Sequence, residues 1–338
     1  MKQKILDFFK KRKMLGISDL SSHFQVSPQA IHKHLRELIQ AGVVLKQGAS
    51  RKTTYYVEAS SAASLKSGPA PLLKTYTNKN LKEDEVYREL SSKYVSLKTL
   101  PHSLEQVFIF AFTEMLNNAI DHSKSKKIKI KIDQDKQNIC FLIQDQGVGI
   151  FHNIQKNKKL NNPLEAIQDL LKGKQTTMPD KHSGEGIFFT SKLADVFWIK
   201  SHKKTLILNN LIEDVFIKDN PFCKGTEVYF QISKKSSKDL KSIFLKYSNS
   251  KFEFDKSHIR ISLFANEFYV SRSQAKRVLI GLEKFKVIEF DFKNVESVGQ
   301  GFADEIFRVF QLQHPHITLI YINAHENVKF MIERAKRR

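Results

Sequence analysis

Three short motifs between residues 114 and 186 constrain this chain more than any other feature. The first is Glu114-Met-Leu-Asn-Asn118-Ala-Ile-Asp121-His122, the second Asp145-Gln-Gly147-Val-Gly149-Ile150, and the third His182-Ser-Gly184-Glu-Gly186-Ile-Phe188. Glu114 and Asn118 stand four apart, so on a helix both side chains leave by one face. Asp145 closes an apolar strand-like run, and Gly147 and Gly149 let backbone pass close to a bound group. Gly184 and Gly186 open a helix, whose first amides suit phosphate. Each fragment alone has an ordinary explanation as a solvated face or a turn. In this order, with strands between them, they predict a nucleotide pocket with its metal.

The chemistry follows from the residue types. Mg²⁺ takes oxygen ligands and keeps waters while bridging phosphates, so the Asn118 amide oxygen suits it without adding negative charge. Asp121 lies in the same stretch. A carboxylate one turn from Asn118, Glu114, can orient or deprotonate an attacking water or hydroxyl. A carboxylate at the position of Asp145 can accept the exocyclic amine of adenine and so refuse guanine.

Ahead of this block, residues 1–59 read as three helices and a hairpin. Ser18 or Asp19 can cap the second helix, and Ser27-Pro28 is a cap followed by proline at the first helical position. The third helix places Ile31, Leu35, Leu38 and Ile39 on one face, and Gln29, His32, Lys33 and Arg36 outward. Arg51 and Lys52 lie in a basic loop between two short strands. Charge agrees: the first 60 residues hold 11 Lys and Arg against 4 Asp and Glu, +7 of the chain's formal +21. A positive excess concentrated at one end fits a polyanion, although general lysine richness would also supply it. The run Val26 to Gly42 resembles the recognition helix of winged helix-turn-helix regulators. That implies DNA as partner, with base contacts from the helix and phosphate contacts from Arg51 and Lys52. A winged helix used only for protein contacts is the other reading.

Small residues, Gly68 and two prolines make 60–80 a linker. Residues 81–235 read as helices on one side of a mixed sheet, a two-layer α/β sandwich. Strands are expected at 196–201, 205–208 and 226–232, and a short helix at 163–172. This block resembles the GHKL superfamily of ATP-binding domains, shared by gyrase, heat-shock chaperones and histidine kinases. The resemblance implies ATP and Mg²⁺ as cofactors, Asn118 as metal ligand, Asp145 as adenine reader and Glu114 as candidate base. Gly147, Gly149, Gly184 and Gly186 form its glycine boxes, and Gly225-Thr226 its late strand near the nucleotide. Residues 151–183 then correspond to the lid over the phosphates. No phospho-accepting histidine hairpin precedes the block, which disfavours a sensor kinase.

Residues 255–338 alternate strand and helix three times, a small α/β domain. Phe290 to Glu305 resembles the STAS-like domains related to anti-sigma-factor antagonists. Those carry a phosphorylated serine at a helix start. Here Gln300 and Gly301 stand there, with Ser297 displaced.

Two cysteines, Cys140 and Cys223, argue against a disulfide scaffold and for a reducing compartment. No apolar stretch is long enough to span a membrane. The expected protein is a cytoplasmic regulator with DNA, ATP and a protein partner of the STAS-like module. A homodimer, and a serine/threonine kinase or ATPase activity, stay open.

Overall fold

The computed structural model describes Ile5, Phe8, Phe9, 15–40, 44–47, 54–56, 70–94, Leu97, 99–174, 184–211, 213–249, 253–263, 269–293 and 295–337. The contacts divide the chain into two compact units, 1–153 with 190–237, and 154–189 with 238–338.

The first unit begins with β1 (Leu15–Gly16), α1 (Ile17–Phe24), α2 (Pro28–Gln40), β2 (Leu45–Gln47) and β3 (Thr54–Tyr56). The three strands form one sheet in the order β1-β3-β2. Helix α1 starts two residues earlier than its polar residues suggest. Gly16 is its cap, and Asp19 reaches back from the third helical position to accept from Gly16 N at 2.7 Å. Ser27 does cap α2, its hydroxyl accepting from Ala30 N at 3.3 Å. Ile5, Phe9, Leu15, Leu20, Ile31, Leu35, Val44 and Tyr55 make the core of this subdomain.

The larger sheet of the first unit comprises β4 (Leu72–Thr77), β5 (Lys127–Gln134), β6 (Asn138–Asp145), β7 (Val196–Asn209) and β8 (Asp214–Ser233). Its order is β4-β5-β6-β8-β7. Every pairing in it is antiparallel, which corrects the expected mixed sheet. β4 lies inside the stretch read as a linker. Leu72, Lys74 and Tyr76 turn inward, and Lys74 and Tyr76 both bind Glu89 of α3 (Glu83–Lys93), so a half-polar strand is anchored at the sheet edge. The two strands expected at 196–201 and 205–208 are one. β7 runs through a register irregularity at His202, whose φ is 52°.

One face of this sheet is covered by α3 and α4 (His102–His122). Helix α4 is apolar along Leu104, Val107, Phe108, Ala111, Phe112, Met115, Leu116 and Ala119, all buried. Phe108 meets Phe141 edge-on at 5.5 Å, and Phe141 stacks on Phe230 at 5.1 Å. The opposite face carries Cys140, Val196, Trp198, Ile207 and Tyr229. Phe216 of β8 packs against this cluster and also against the core of the N-terminal subdomain.

Along the chain, α5 (Ile150–Asn157) runs from the first unit into the second, and α7 (Gly186–Leu193) from the second back into the first. The second unit also holds α6 (Pro163–Lys172), found where the sequence places it, and α8 (Leu240–Tyr247). A parallel sheet in the order β11-β10-β9 follows, from β9 (Lys256–Arg260), β10 (Val287–Asp291) and β11 (Thr318–Ile322). Its helices are α9 (Arg272–Leu279), α10 (Gln300–Gln313, with a π-helical middle) and α11 (Glu326–Lys336). Both cysteines are free. Among the described residues no helix is long and apolar enough to cross a membrane.

Candidate nucleotide site

The end of β6 is the centre of the candidate site. Asp145 is buried, 6% exposed, although nothing in its own strand requires a charge there. Its Oδ1 accepts from Gly147 N at 2.8 Å and from Thr226 N at 3.3 Å. Oδ2 takes no hydrogen bond among the described residues. Burial pushes the carboxyl up to about 6, against the pull of those two amides.

Three glycines allow close backbone approaches at and just beyond the end of β6. Gly225 has φ +77°, and a Cβ there would lie 2.2 Å from the Asp145 carbonyl oxygen. A Cβ on Gly147 would lie 1.7 Å from the carbonyl oxygen of Ser123, just past the end of α4. The same oxygen accepts from Val148 N at 2.8 Å. The glycine loop is thus clamped to the end of the helix that carries Glu114 and Asn118. Gly149, with φ +79°, sits against Ser201 and His202 of β7. Thr226 receives Ile150 N on its hydroxyl at 3.0 Å, starting α5 from 76 residues away.

The expected residues therefore fall as follows. Asp145, Gly147, Gly149 and Thr226 are brought together. Glu114 and Asn118 are half-buried on α4, at the border of its apolar face, and Asp121 is exposed near its end. Gly184, with φ +73°, and Gly186 at the start of α7 belong to the second unit. Among the described residues no three His, Cys, Asp or Glu side chains cluster as a metal site. On α4, Asn118 instead offers a neutral amide oxygen, which suits a Mg²⁺ carrying phosphate and water ligands.

Sequence reasoning missed His152 and His202. Their rings lie 5.6 Å apart on α5 and β7, beside Gly149, and burial followed by the neighbouring His152 pulls His202 downward. Only the irregularity in β7 places His202 there. Gln29, His32, Lys33 and Arg36 are all exposed on α2, opposite buried Ile31 and Leu35. Arg51 and Lys52 lie outside the described residues. In the second unit, Ser297 and Gln300 are exposed before and at the start of α10.

Three family models match the chain. Residues 2–46 match the arsR family of bacterial regulatory proteins. Residues 85–209 match the histidine kinase-like ATPase domain. Residues 274–329 match a STAS-like domain of unknown function. The three follow the expected order. A comparison with curated proteins found no match. Asn118, Asp145 and four of the five glycines discussed (Gly147, Gly149, Gly184 and Gly186) lie inside the ATPase match, and Gly225 and Thr226 lie beyond it.

Proposed function

We propose that this chain is a cytoplasmic, ATP- and Mg²⁺-binding transcriptional regulator whose nucleotide pocket controls its winged helix. The observation that carries the reading is Asp145. One carboxylate oxygen of this buried residue is spent on two backbone amides, and the other, which takes no hydrogen bond among the described residues, is left to accept from an adenine N6 amine. A buried charge with a free acceptor is costly to fold around, and such groups cluster at functional sites. Asn118 is the metal ligand in this reading and Glu114 the candidate base. Gly184 and Gly186 serve the phosphates through the α7 N-terminus, with 151–183 as the lid.

Calorimetry with ATP and Mg²⁺ tests it. Asn118→Ala should weaken Mg²⁺-ATP binding by on the order of tenfold or more, the loss of one charge-assisted contact. The same variant should change metal-free ATP binding far less. Equal weakening with and without Mg²⁺ would remove Asn118 as the metal ligand.

The DNA half rests on α2, whose Gln29, His32, Lys33 and Arg36 face outward as base and phosphate contacts require. Control of DNA binding by nucleotide has a route, because Phe216 belongs to both the N-terminal core and the outer face of the ATPase sheet. Coupling of 1–3 kcal/mol is typical of such links, about 5- to 150-fold in affinity. Operator affinity should therefore differ between ATP and ADP in the wild type, and Phe216→Ser should erase most of that difference. A Phe216→Ser protein that keeps the full difference would show that the signal travels elsewhere.

A kinase reading is favoured by one observation, the exposure of Ser297 beside the helix start that carries phosphoserine in antagonists of the STAS type. Labelled γ-phosphate appearing on Ser297, or on a STAS-type partner, would support it. Release as free phosphate would favour an ATPase.

A further inference from the structure

The family boundaries and the packing disagree over 154–174 and 184–189. They lie inside the ATPase match, yet they cluster with the STAS-like module. The reason is α6. Its Asn162 cap and polar outer face are those of an ordinary surface helix, but Ala166, Ile167, Asp169, Leu170 and Lys172 are all buried. Lys172 is 3% exposed. Its ammonium donates to the carbonyls of Arg277 at 3.2 Å and Ile280 at 2.7 Å. Those carbonyls lie in the last turn of α9 and just beyond it, where acceptors lack partners and the helix dipole is negative. In return Ser257 of β9, fully buried, donates its hydroxyl to the Lys172 carbonyl at 2.7 Å.

The chain continues to be held beyond the helix. Gly173 turns with φ +81°, its Cα against Phe254 so closely that a Cβ would lie 2.8 Å from the ring. Lys284 donates to the Lys174 carbonyl at 2.7 Å. Lys174 stands over the rings of Phe254 and Phe285. At the far end of the segment, Phe188 packs on Tyr247 and Phe254, and Phe189 stacks on Phe244 at 4.1 Å. A buried lysine is desolvated at a cost of several kcal/mol unless it is well bonded. An ordinary lid helix has no need of one.

We propose that the STAS-like module is the built-in receptor of the ATPase lid, gripping it through Lys172, so that nucleotide binding and ligand binding to the STAS-like module are coupled. The proposal rests on reading 151–183 as the lid of an ATP site. The ends of the gripped segment enter α5 and α7, the helices that follow the two glycine boxes, so whatever moves the module is passed to both. Reciprocity then requires that the nucleotide alter the module in equal measure.

Hydrogen exchange on the full chain tests this, with Lys172→Met as the main variant. Amides of 163–172 should exchange at least tenfold faster in the variant, with those of 128–132 and 288–290 unchanged as evidence of folding. The affinity for a non-hydrolysable ATP analogue with Mg²⁺ should change by threefold or more. Unchanged exchange over 163–172, or an affinity shift below threefold, overturns the proposal. If 288–290 also loosen, Ser257→Ala, which removes a single donor, is read by the same criteria. If wild type and Asp145→Asn bind the analogue equally well, the nucleotide reading fails and the coupling with it. If the analogue binds through Asp145 and only the Lys172 effect is missing, the coupling alone fails.

Discussion

Asp145→Asn is expected to weaken ATP binding on the order of 100-fold while making the protein more stable. The amide keeps an oxygen for Gly147 N and Thr226 N but turns an NH₂ toward the adenine amine, donor against donor. A site that leaves buried polar groups mispaired discriminates by such factors. The stability gain has the opposite origin. Burial raises the folded carboxyl from 3.8 to about 6, so the folded state holds the proton more tightly than the unfolded chain. Below 3.8 the group is neutral in both states and costs nothing. Stability falls as pH rises toward 6, and above it the full cost, about 3 kcal/mol, is present. The variant should recover much of this at pH 7.5 and none at pH 3.5. In the wild type, ATP affinity should also drop as pH falls below about 6, because a protonated Asp145 cannot accept from adenine as well. Calorimetry and denaturant unfolding at the two pH values check both halves. A variant that binds ATP like the wild type would remove Asp145 from the purine, whatever its stability.

Gly225→Ala is the second large effect, and it tests the fold of the site without any ligand. Alanine at φ +77° is strained by about 1 kcal/mol or more. Its methyl would also stand 2.2 Å from one backbone oxygen and 2.6 Å from Asp145 Oδ1, neither of which can retreat without opening β6 from β8. Overpacking of this kind adds about 1–3 kcal/mol. Together they should lower the unfolding midpoint of a unit of this size by roughly 6–12 °C. Trp198, the sole tryptophan, lies on the adjacent β7 and reports that unit by fluorescence. An unchanged midpoint would mean that the β8 backbone does not pass as close to Asp145 as described.

Much of this architecture was legible in local patterns. The helix bearing Glu114 and Asn118, the strand ending at Asp145, the helix 163–172 and the strand-helix alternation after 255 all carry their own periodicity or caps. What was hidden depends on partners far along the chain. Leu72–Thr77 lacks an apolar face because Lys74 and Tyr76 satisfy Glu89. Helix α5 begins where Thr226 catches Ile150 N. Pairing direction leaves no mark in alternation, so an antiparallel sheet read as mixed. The turn-like residues near His202 looked like a break, and proved to be an irregularity within one long strand. In the site, the glycine spacing was visible, whereas the reason for each glycine lay in another segment: Ser123 for Gly147, His202 for Gly149 and Asp145 for Gly225.

The burial of Lys172 bears on how such a gene can be rearranged. A recombination event that exchanged the C-terminal module at the edge of the ATPase match would leave an ammonium facing foreign backbone, and Ile167 and Leu170 without a matching surface. Inheritance of the module is therefore tied to residues 154–189, and shuffled descendants should carry the two pieces together or carry neither.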